Sequence, residues 1–340
     1  MRSSLIVLLA ASGLVACPGA SSQAQGPSAP APDHAAASLR AYESTGLSIL
    51  KPYEKGKIPV VLVHGLWASP WSWDRMIRTL ESDPAIDGAF QFWTYGYSTG
   101  DPLPYSASKL RAVLDQARGQ FDPDRSDPAF SRLVLVGHSM GGLMSWMQIT
   151  ASDRALWRGV TDRSFEELRG RQDDVEMTRQ CFFFEPRTEI ARAVLIATPH
   201  LGSRIDHGSI RQLGSRLVRL PDPLTSCHRR LLAANPPDFF KGRFSTHVPT
   251  SVDELAWRDP MITAVASLKP RAGVRIHSII PTLSGQAGPH ETDGVVPYES
   301  AHLEKAESET VLKAGHLCQD HPRVAEEVRR ILMEHVADRS

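Results

Sequence analysis

The residues best suited to chemistry lie in Gly137–Gly141, which reads GHSMG. The apolar run 133–136 precedes this segment, and residues 142–147 continue with the pattern of a helix. In such a strand-turn-helix setting, a G-x-S-x-G sequence places the serine on a sharp, strained turn with its hydroxyl exposed for nucleophilic attack. Small residues on both sides leave room for that turn, so we predict that Ser139 is a nucleophile.

A serine hydroxyl needs a base that takes its proton and a carboxylate that holds the base in the correct tautomer. The sequence contains 13 histidines, so position along the chain must select the base. His316 follows a candidate strand at 309–312, and Asp293 follows another at 274–280. Because parallel strands end at one edge of a sheet, both side chains are expected beside Ser139. We therefore predict Asp293 as the acid and His316 as the base.

Other residues are kept as alternatives for these roles. They are Asp206, Asp222 and Asp320 for the acid, and His290, His302 and His321 for the base. His138 adjoins the nucleophile and is expected to pack beneath it instead of acting as the base. His200 is expected near the rim of the site, where it either contacts substrate or caps a turn.

The oxyanion formed during acyl transfer needs two preorganised N–H donors. We expect one of them to be the backbone N–H of Met140, directly after the nucleophile. The other is expected from Leu66, in the turn that follows the apolar run 58–63. Gly65 precedes Leu66 and, lacking a side chain, lets that backbone approach the nucleophile closely.

Short strands that alternate with helices must position these residues. Six strands are predicted, at 58–63, 90–95, 133–136, 191–197, 274–280 and 309–312. Helices are predicted at 105–120 and at 322–336, where apolar residues recur along one helical stripe. This alternation predicts an α/β fold with right-handed crossovers and a mostly parallel central sheet flanked by helices.

Two stretches of the sequence do not show the alternation of strands with helices. Residues 152–188 are rich in mixed charge, and residues 201–270 are broken repeatedly by proline. Structureless loops of such length are uncommon in compact domains unless they act as lids or caps. We therefore predict a helical cap insertion at about 201–270.

Five motifs in sequence order resemble the signatures of the α/β-hydrolase superfamily, most of all its bacterial esterase and lipase branch, related to triacylglycerol lipases and GPI inositol-deacylase-like hydrolases. They are HGL at 64–66, GHSMGG at 137–142, ATPHLGS at 197–203, DGVVP at 293–297 and GHL at 315–317. The resemblance spans about residues 59–336. It implies an α/β-hydrolase fold with Ser139 as nucleophile, Asp293 as acid, His316 as base, and Leu66 and Met140 as oxyanion donors.

The resemblance implies no cofactor. Some lipases of this type bind calcium through carboxylates near the catalytic histidine. Here Asp320 is the only acid close to His316 on the carboxyl side, which is too little for a metal site. The prediction is therefore a site without a metal.

The amino terminus is predicted to lie outside the folded domain. Residues 1–16 contain an apolar run that is too short to span a bilayer and are typical of a signal peptide. The sequence LVAC, ending at Cys17, resembles the lipobox of bacterial lipoproteins and implies a diacylglyceryl group on that thiol. The alternative is a plain signal peptide with an incidental cysteine.

A signal peptide and a lipidated Cys17 predict how the rest of the chain is divided and where the protein is located. Residues 17–37 are rich in Pro, Ala, Ser, Gly and Gln and are expected to form a flexible tether. Residues 38–340 would then form the α/β-hydrolase domain. The expected location is the bacterial cell envelope, with a lipid anchor in the outer membrane and the domain facing the periplasm or the cell surface.

Composition narrows the class of partner. The 340 residues include 38 Lys and Arg, 38 Asp and Glu, and 41% hydrophobic residues. This balance argues against a nucleic-acid partner and against electrostatic attachment to lipid head groups. Besides Cys17 the chain has three cysteines, Cys181, Cys227 and Cys318, so at most one internal disulfide can form. Their wide spacing is unlike that of a zinc or iron–sulfur site, and the oligomeric state is left open.

The favoured function is a serine carboxylesterase or lipase that forms an acyl-enzyme with a small-molecule or lipid ester. An acyltransferase using the same residues and a non-catalytic envelope binding protein of the same fold are the alternatives. Tryptophans at 67, 71 and 73 and the apolar side chains after Ser139 favour an ester with an acyl chain over a charged substrate. Core packing is the simpler role for these side chains.

Overall fold

Continuous apolar runs of the sequence form the central sheet of the protein. The computed structural model describes residues 46–204 and 220–338. In these residues one sheet has seven strands in the order β1-β3-β2-β4-β6-β8-β9, and a separate ladder pairs β5 with β7. The strands are β1 Gly46–Ile49, β2 Ile58–Val63, β3 Phe90–Gly96, β4 Leu133–His138, β5 Thr150–Ala151, β6 Ile190–Ile196, β7 Lys269–Pro270, β8 Arg275–Thr282 and β9 Ser308–Lys313.

The large sheet is mostly parallel, as predicted. Its neighbours run parallel except for β1, which pairs antiparallel with β3 at the edge. The six predicted strands are confirmed as β2, β3, β4, β6, β8 and β9. Strand β1 was not predicted, because its four residues, GLSI, are too few to show a periodic pattern.

Helices cover both faces of the sheet. The α-helices of the described residues are α1 Asp74–Glu81, α2 Pro84–Ala89, α3 Leu103–Phe121, α4 Met140–Ile149, α5 Ala155–Arg158, α6 Gln172–Phe182, α7 Asp222–Ala234, α8 Ser251–Glu254, α9 Pro260–Ser267, α10 Tyr298–Ala301 and α11 Pro322–Ala337. The predicted helices at 105–120 and 322–336 are confirmed as α3 and α11.

Two large hydrophobic clusters form most of the core, one on each face of the sheet, and a small third cluster contains Ile280, Val296 and Ala301. Along β2, Val61 and Val63 belong to the cluster that contains α3 and α4, whereas Val60 and Leu62 belong to the cluster that contains α1 and α11. Successive side chains of a strand point to opposite faces, so a strand buried on both faces is apolar throughout. This double burial explains the unbroken sequence IPVVLV of β2.

Where it is described, the long segment between β6 and β8 contains the helices α7, α8 and α9 and the short strand β7. Helices α5 and α6, from the stretch before β6, pack against it, and Arg230 of α7 forms an ion pair with buried Asp174 of α6. The sequence of that earlier stretch predicts no role for it. An apolar cavity between these helices is lined by Tyr105, Trp157 and Leu231, among others. That the insertion acts as a cap stays a prediction.

Some predictions concern residues at the amino terminus that the structure does not describe, and others concern membrane spans and cysteines. The signal peptide at 1–16, Cys17 and the tether at 17–37 lie outside the described residues. Within the described residues, no helix has the length and apolar character needed to cross a membrane. Cys181, Cys227 and Cys318 are all buried and free, so none of them forms a disulfide.

Candidate active site

Ser139 occupies the turn between β4, which ends at His138, and α4, which begins at Met140. Its φ of 53° and ψ of −123° are strained for a residue with a side chain. Two backbone hydrogen bonds hold this conformation. The N–H of Ser139 donates to the carbonyl of Ile196 at 2.8 Å, and the carbonyl of Ser139 accepts from the N–H of Gly142 at 2.9 Å. The turn projects the serine at the carboxyl edge of the sheet, as the sequence pattern predicts.

The glycines after Ser139 allow α4 to pack directly on neighbouring strand ends. A Cβ atom at Gly141 would lie 2.2 Å from the carbonyl oxygen of Val63, at the end of β2. At Gly142 it would lie 1.9 Å from Oγ1 of Thr198, just beyond β6. Both contacts are far too short for a side chain, so only glycine permits the helix to begin here.

The structure brings Ser139, His316 and Asp293 together as a hydrogen-bonded chain. The Oγ of Ser139 lies 3.0 Å from Nε2 of His316, and Nδ1 of His316 lies 2.7 Å from Oδ2 of Asp293. The carboxylate can only accept, so Nδ1 carries the proton and Nε2 presents a lone pair to the serine hydroxyl. This tautomer is the one that a general base requires.

Asp293 is held as a buried carboxylate by backbone donors. Its Oδ1 accepts from the N–H groups of Val295 at 2.8 Å and Val296 at 2.7 Å, while Oδ2 is left to His316. Its backbone carbonyl also accepts from the N–H of His316 at 3.0 Å. These bonds fix the carboxylate and the imidazole relative to each other, although they come from separate loops.

His138 lies against the imidazole of His316, with ring centroids 5.1 Å apart. Its Nε2 lies 2.9 Å from the backbone carbonyl of His316, and because a carbonyl only accepts, this nitrogen carries a proton. Burial, and next the nearby His316, lower the pKa of His138 to about 3. The neutral ring therefore supports the loop of His316 and does not face the hydroxyl as a base.

The turn after β2 brings the backbone around Leu66 close to the nucleophile. A Cβ atom at Gly65 would lie 3.0 Å from Cβ of Ser139. Met140 is the first residue of α4, so its N–H has no acceptor inside the helix. Both expected oxyanion donors thus belong to backbone segments that adjoin Ser139.

His64 and Tyr97 support this turn, a role that was predicted for neither of them. Nδ1 of His64 donates to the carbonyl of Gly65 at 3.0 Å, and the hydroxyl of Tyr97 donates to the carbonyl of His64 at 2.7 Å. The two rings stack with centroids 4.4 Å apart. Burial lowers the pKa of His64 to about 4, so the ring stays neutral. The motif HGL was the only sequence signal for this support.

The structure does not bring the alternative acids and bases that it describes to Ser139. Asp206 lies outside the described residues, and Asp222, Asp320 and His290 are exposed. His302 pairs with Glu309 at 2.7 Å, and His321 caps the start of α11 by accepting from the N–H of Arg323.

His200 is buried, and its ring lies edge-on to Trp146 with centroids 5.5 Å apart. Among the described residues neither ring nitrogen of His200 has a hydrogen-bond partner, so the ring does not cap a turn there, whereas contact with substrate stays a prediction. In the described part of the chain, no cluster of three or more His, Cys, Asp or Glu side chains is suited to hold a metal ion.

The chain matches one family model and has a fold similar to that of several solved structures. The family model described as the alpha/beta hydrolase family matches residues 60–328. No curated protein matches the chain. Solved structures with a similar fold include a lipase of Bacillus licheniformis, BlEst2 in its mature form, at 15% identity and a TM-score of 0.46, covering 86% of this chain and 94% of that one.

A thermophilic esterase from Thermogutta terrifontis is also similar, at 14% identity and a TM-score of 0.42, covering 87% of this chain and 97% of that one. The family model alone spans well over half of the 340 residues and includes the turn at Ser139 as well as Asp293 and His316. The chain therefore belongs to the alpha/beta hydrolase family.

Proposed function

We propose that this protein hydrolyses carboxylic esters through an acyl-enzyme formed on Ser139. The observation that carries the proposal is the chain of hydrogen bonds from Ser139 Oγ to His316 Nε2 and from His316 Nδ1 to Asp293. A hydroxyl, a neutral imidazole and a fixed carboxylate in this order form the arrangement that activates serine for acyl transfer.

In the first half of the proposed reaction, Ser139 Oγ attacks the ester carbonyl while His316 Nε2 takes the hydroxyl proton. Asp293 stabilises the imidazolium that results. The carbonyl oxygen becomes an oxyanion, which accepts hydrogen bonds from the backbone N–H groups of Leu66 and Met140. When the intermediate collapses, the bond to the alcohol oxygen breaks, and His316 gives that oxygen the proton. The alcohol leaves, and the acyl group stays on Ser139.

In the second half, a water molecule takes the place of the alcohol. His316 removes a proton from the water, which attacks the acyl carbonyl and forms a second oxyanion at the same donors. Collapse of this intermediate breaks the bond to Ser139 and returns the proton to its oxygen. The acid product leaves, and the enzyme is restored.

The experiment measures hydrolysis of p-nitrophenyl esters from acetate to dodecanoate by the full chain and its variants. We expect Ser139→Ala and His316→Ala to lower kcat by at least about 10³-fold with the fold retained. His290→Ala, a change at the exposed histidine kept above as an alternative base, serves as the control and should keep full activity. Unchanged turnover in the Ser139 variant would remove Ser139 from the mechanism. No turnover by the wild-type chain, together with no labelling of its Ser139 by a fluorophosphonate, would point to a non-catalytic protein.

The same assay identifies the final acceptor of the acyl group. Addition of a primary alcohol should increase p-nitrophenol release little and yield mainly the free acid if water is the natural acceptor. A product mixture dominated by the new ester at low alcohol concentration would instead assign the protein as an acyltransferase.

We further propose that Cys17 carries a lipid anchor and that the protein resides in the bacterial cell envelope. The lipobox-like sequence before Cys17 supports this proposal. Cells grown with labelled palmitate should incorporate label into the wild-type chain and lose it with Cys17→Ser. Equal labelling of the two chains would place the modification elsewhere, and its absence from both would favour a plain signal peptide.

A further inference from the structure

The apolar cavity between α3, α5, α6 and α7 is lined by residues other than those of the candidate active site. Its volume is about 70 Å³, several times the roughly 10–15 Å³ that one water molecule needs. Most of the lining side chains are apolar, and they include Trp157, Phe182, Leu231 and Phe240. In the described part of the chain, none of the residues that we assign to catalysis or to the oxyanion hole lines it. We call this space the helix cavity.

The wall of the helix cavity contains one carboxyl group, that of Glu254 at the end of α8. The residue is only 1% exposed, and its Oε2 accepts from the N–H of Leu103, the first residue of α3, at 2.6 Å. Its Oε1 is also buried but has no hydrogen-bond partner among the described residues. Buried polar atoms nearly always have a partner, so this oxygen indicates a contact that a bound molecule would supply.

The other polar groups of the wall are already engaged with the backbone. The hydroxyl of Thr178 donates to the carbonyl of Asp174 at 2.8 Å. Nε2 of His228 donates to the carbonyl of Phe244 at 2.9 Å. Among the described lining residues, Glu254 alone presents a buried side-chain oxygen or nitrogen that lacks a partner. A ligand in the helix cavity therefore meets one polar atom in an otherwise apolar wall.

The surroundings of Glu254 determine what that atom can bind. Burial raises the pKa of Glu254 well above its usual range and outweighs the hydrogen bond from Leu103, which lowers it. The carboxyl group is therefore held in its neutral form. Because Oε2 accepts from Leu103, the proton belongs on Oε1, which can donate it to an acceptor. A charged ligand would lose its hydration against the apolar wall, so an uncharged acceptor is favoured.

We propose that the helix cavity binds an uncharged aliphatic carbonyl compound, whose oxygen accepts a hydrogen bond from Glu254 while its carbon chain packs on the apolar wall. Leu224, Phe244 and Val248 line the cavity and are partly exposed, so a small molecule can enter from solvent beside α7. Binding at this site requires no reaction at Ser139, so the inference does not depend on the proposed esterase function.

The test compares two volatile ligands, 2-hexanone and 2-methyl-1-hexene, by headspace partition above solutions of the full chain. The alkene has the shape of the ketone but carries CH₂ in place of the oxygen, and neither compound can be hydrolysed. Glu254→Leu should weaken binding of the ketone by about fivefold, the net contribution of one hydrogen bond, and should retain binding of the alkene.

Two further variants separate the hydrogen bond from a change in packing. In Glu254→Gln the amide oxygen can accept from Leu103 and the NH₂ group can donate into the cavity, so ketone binding should stay within about twofold of the wild-type value. Glu176→Leu is the matched control, because Glu176 is an exposed residue of α6 that does not line the cavity. It should leave the binding of both ligands unchanged.

Cysteines of the chain report where the ketone binds. Cys181 and Cys227 line the helix cavity, whereas Cys318 lies beside the candidate active site, where its N–H donates to the carbonyl of His316. At a ketone concentration of about ten times Kd, methyl methanethiosulfonate should react about tenfold more slowly with Cys181 and Cys227, since only the unliganded protein reacts. The rate at Cys318 should stay the same. Masses of proteolytic peptides measure the three rates.

Several results would overturn this binding site. They are no binding of 2-hexanone, equal ketone binding by the wild-type chain and Glu254→Leu, an equal loss with Glu176→Leu, or protection of Cys318 alone, which would place the ketone at the candidate active site. Circular dichroism shows whether each variant is folded. The measurement of cysteine protection uses the wild-type chain, so it tests the site even if Glu254→Leu does not fold.

Discussion

At the scale of single residues, the candidate site depends on which atom carries each proton. Asp293 accepts two backbone N–H bonds with one oxygen and the imidazole N–H of His316 with the other. This division leaves the carboxylate no freedom to turn away. The protonation of Nδ1 in turn gives His316 the lone pair that faces Ser139 at 3.0 Å.

Asp293→Asn tests this assignment of protons. The amide oxygen can keep the bonds from Val295 and Val296, which turns the NH₂ group toward His316 and favours the wrong tautomer. We expect kcat to fall by about 10²- to 10⁴-fold, with little change in KM or in the midpoint of thermal unfolding. Steady-state kinetics and a melting curve measure the three quantities. An unchanged kcat would mean that another carboxylate acts as the acid. Asp320 is the nearest carboxylate in sequence on the carboxyl side of His316.

At the scale of elements, the site exists because α4 begins directly against the ends of β2 and β6. Gly141 abuts the carbonyl of Val63, and Gly142 abuts the side chain of Thr198. The same closeness places the first N–H groups of the helix beside the nucleophile. We call this strand-turn-helix segment, residues 137–142, the elbow. The same glycines therefore determine both the packing of the elbow and the chemistry of the site.

Gly142→Ala tests the packing of this elbow. The new methyl group would meet Oγ1 of Thr198 at 1.9 Å, so we expect a loss of about 1–3 kcal/mol in the free energy of unfolding. Adding Thr198→Ala should restore part of that loss, because the closest atom is removed. Denaturation in urea measures both changes.

Gly119→Ala is the matched control for this prediction. Gly119 lies in α3 with no atom within 4 Å of an added Cβ, so alanine there should stabilise the helix by about 0.5–1 kcal/mol. Equal effects of the two substitutions would show that helix propensity, not contact with Thr198, governs position 142.

At the scale of the whole molecule, a buried polar cluster ties the carboxyl-terminal helix to the opposite edge of the sheet. Arg192 of β6 is fully buried and donates to Nε2 of His277 in β8 and to Nδ1 of His335 in α11. Arg192 also forms ion pairs with Asp338 at 2.6 Å and with Glu334 at 3.7 Å. Both imidazoles must be neutral to accept from the guanidinium. Burial first, and then the charge of Arg192, lower the pKa of His277 to about 3.

This cluster predicts that the free energy of unfolding falls as the pH is lowered. Burial lowers the pKa of His335 to about 4, below the value near 6.5 of a histidine in the unfolded chain. As the pH falls below 6.5, protons therefore bind the unfolded chain first, and stability is lost down to about pH 4. At pH 5 the loss is at most about 2 kcal/mol for each such histidine.

Urea unfolding at pH 7.5 and pH 5.0 measures this dependence. His335→Gln removes one of the titrating rings and should reduce the difference between the two pH values, even if it lowers stability at both. Equal stability of the wild-type chain at pH 7.5 and 5.0 would contradict the prediction.

Local sequence determined the nucleophile and the strands around it. The elbow at Ser139 is encoded within six residues, and strands buried on both faces are apolar at every position, so each could be recognised without knowing its neighbours. The prediction of an α/β fold followed from the alternation of these strands with helices and is confirmed. The short edge strand β1 carries too few residues for such a signal.

Tertiary structure decided what depends on packing between distant segments. Position after a strand predicted His316 as the base and left three other histidines open. The folded chain shows that His316, 177 residues from Ser139, is the ring that meets the hydroxyl. Trp73 is buried whereas Trp67 and Trp71 are exposed, although all three share one short uncharged loop. All three residues are tryptophan, so their different exposure depends on which elements of the fold cover each ring. The sequence therefore supplied the reactive groups, and the fold selected which of them meet each other and which face solvent.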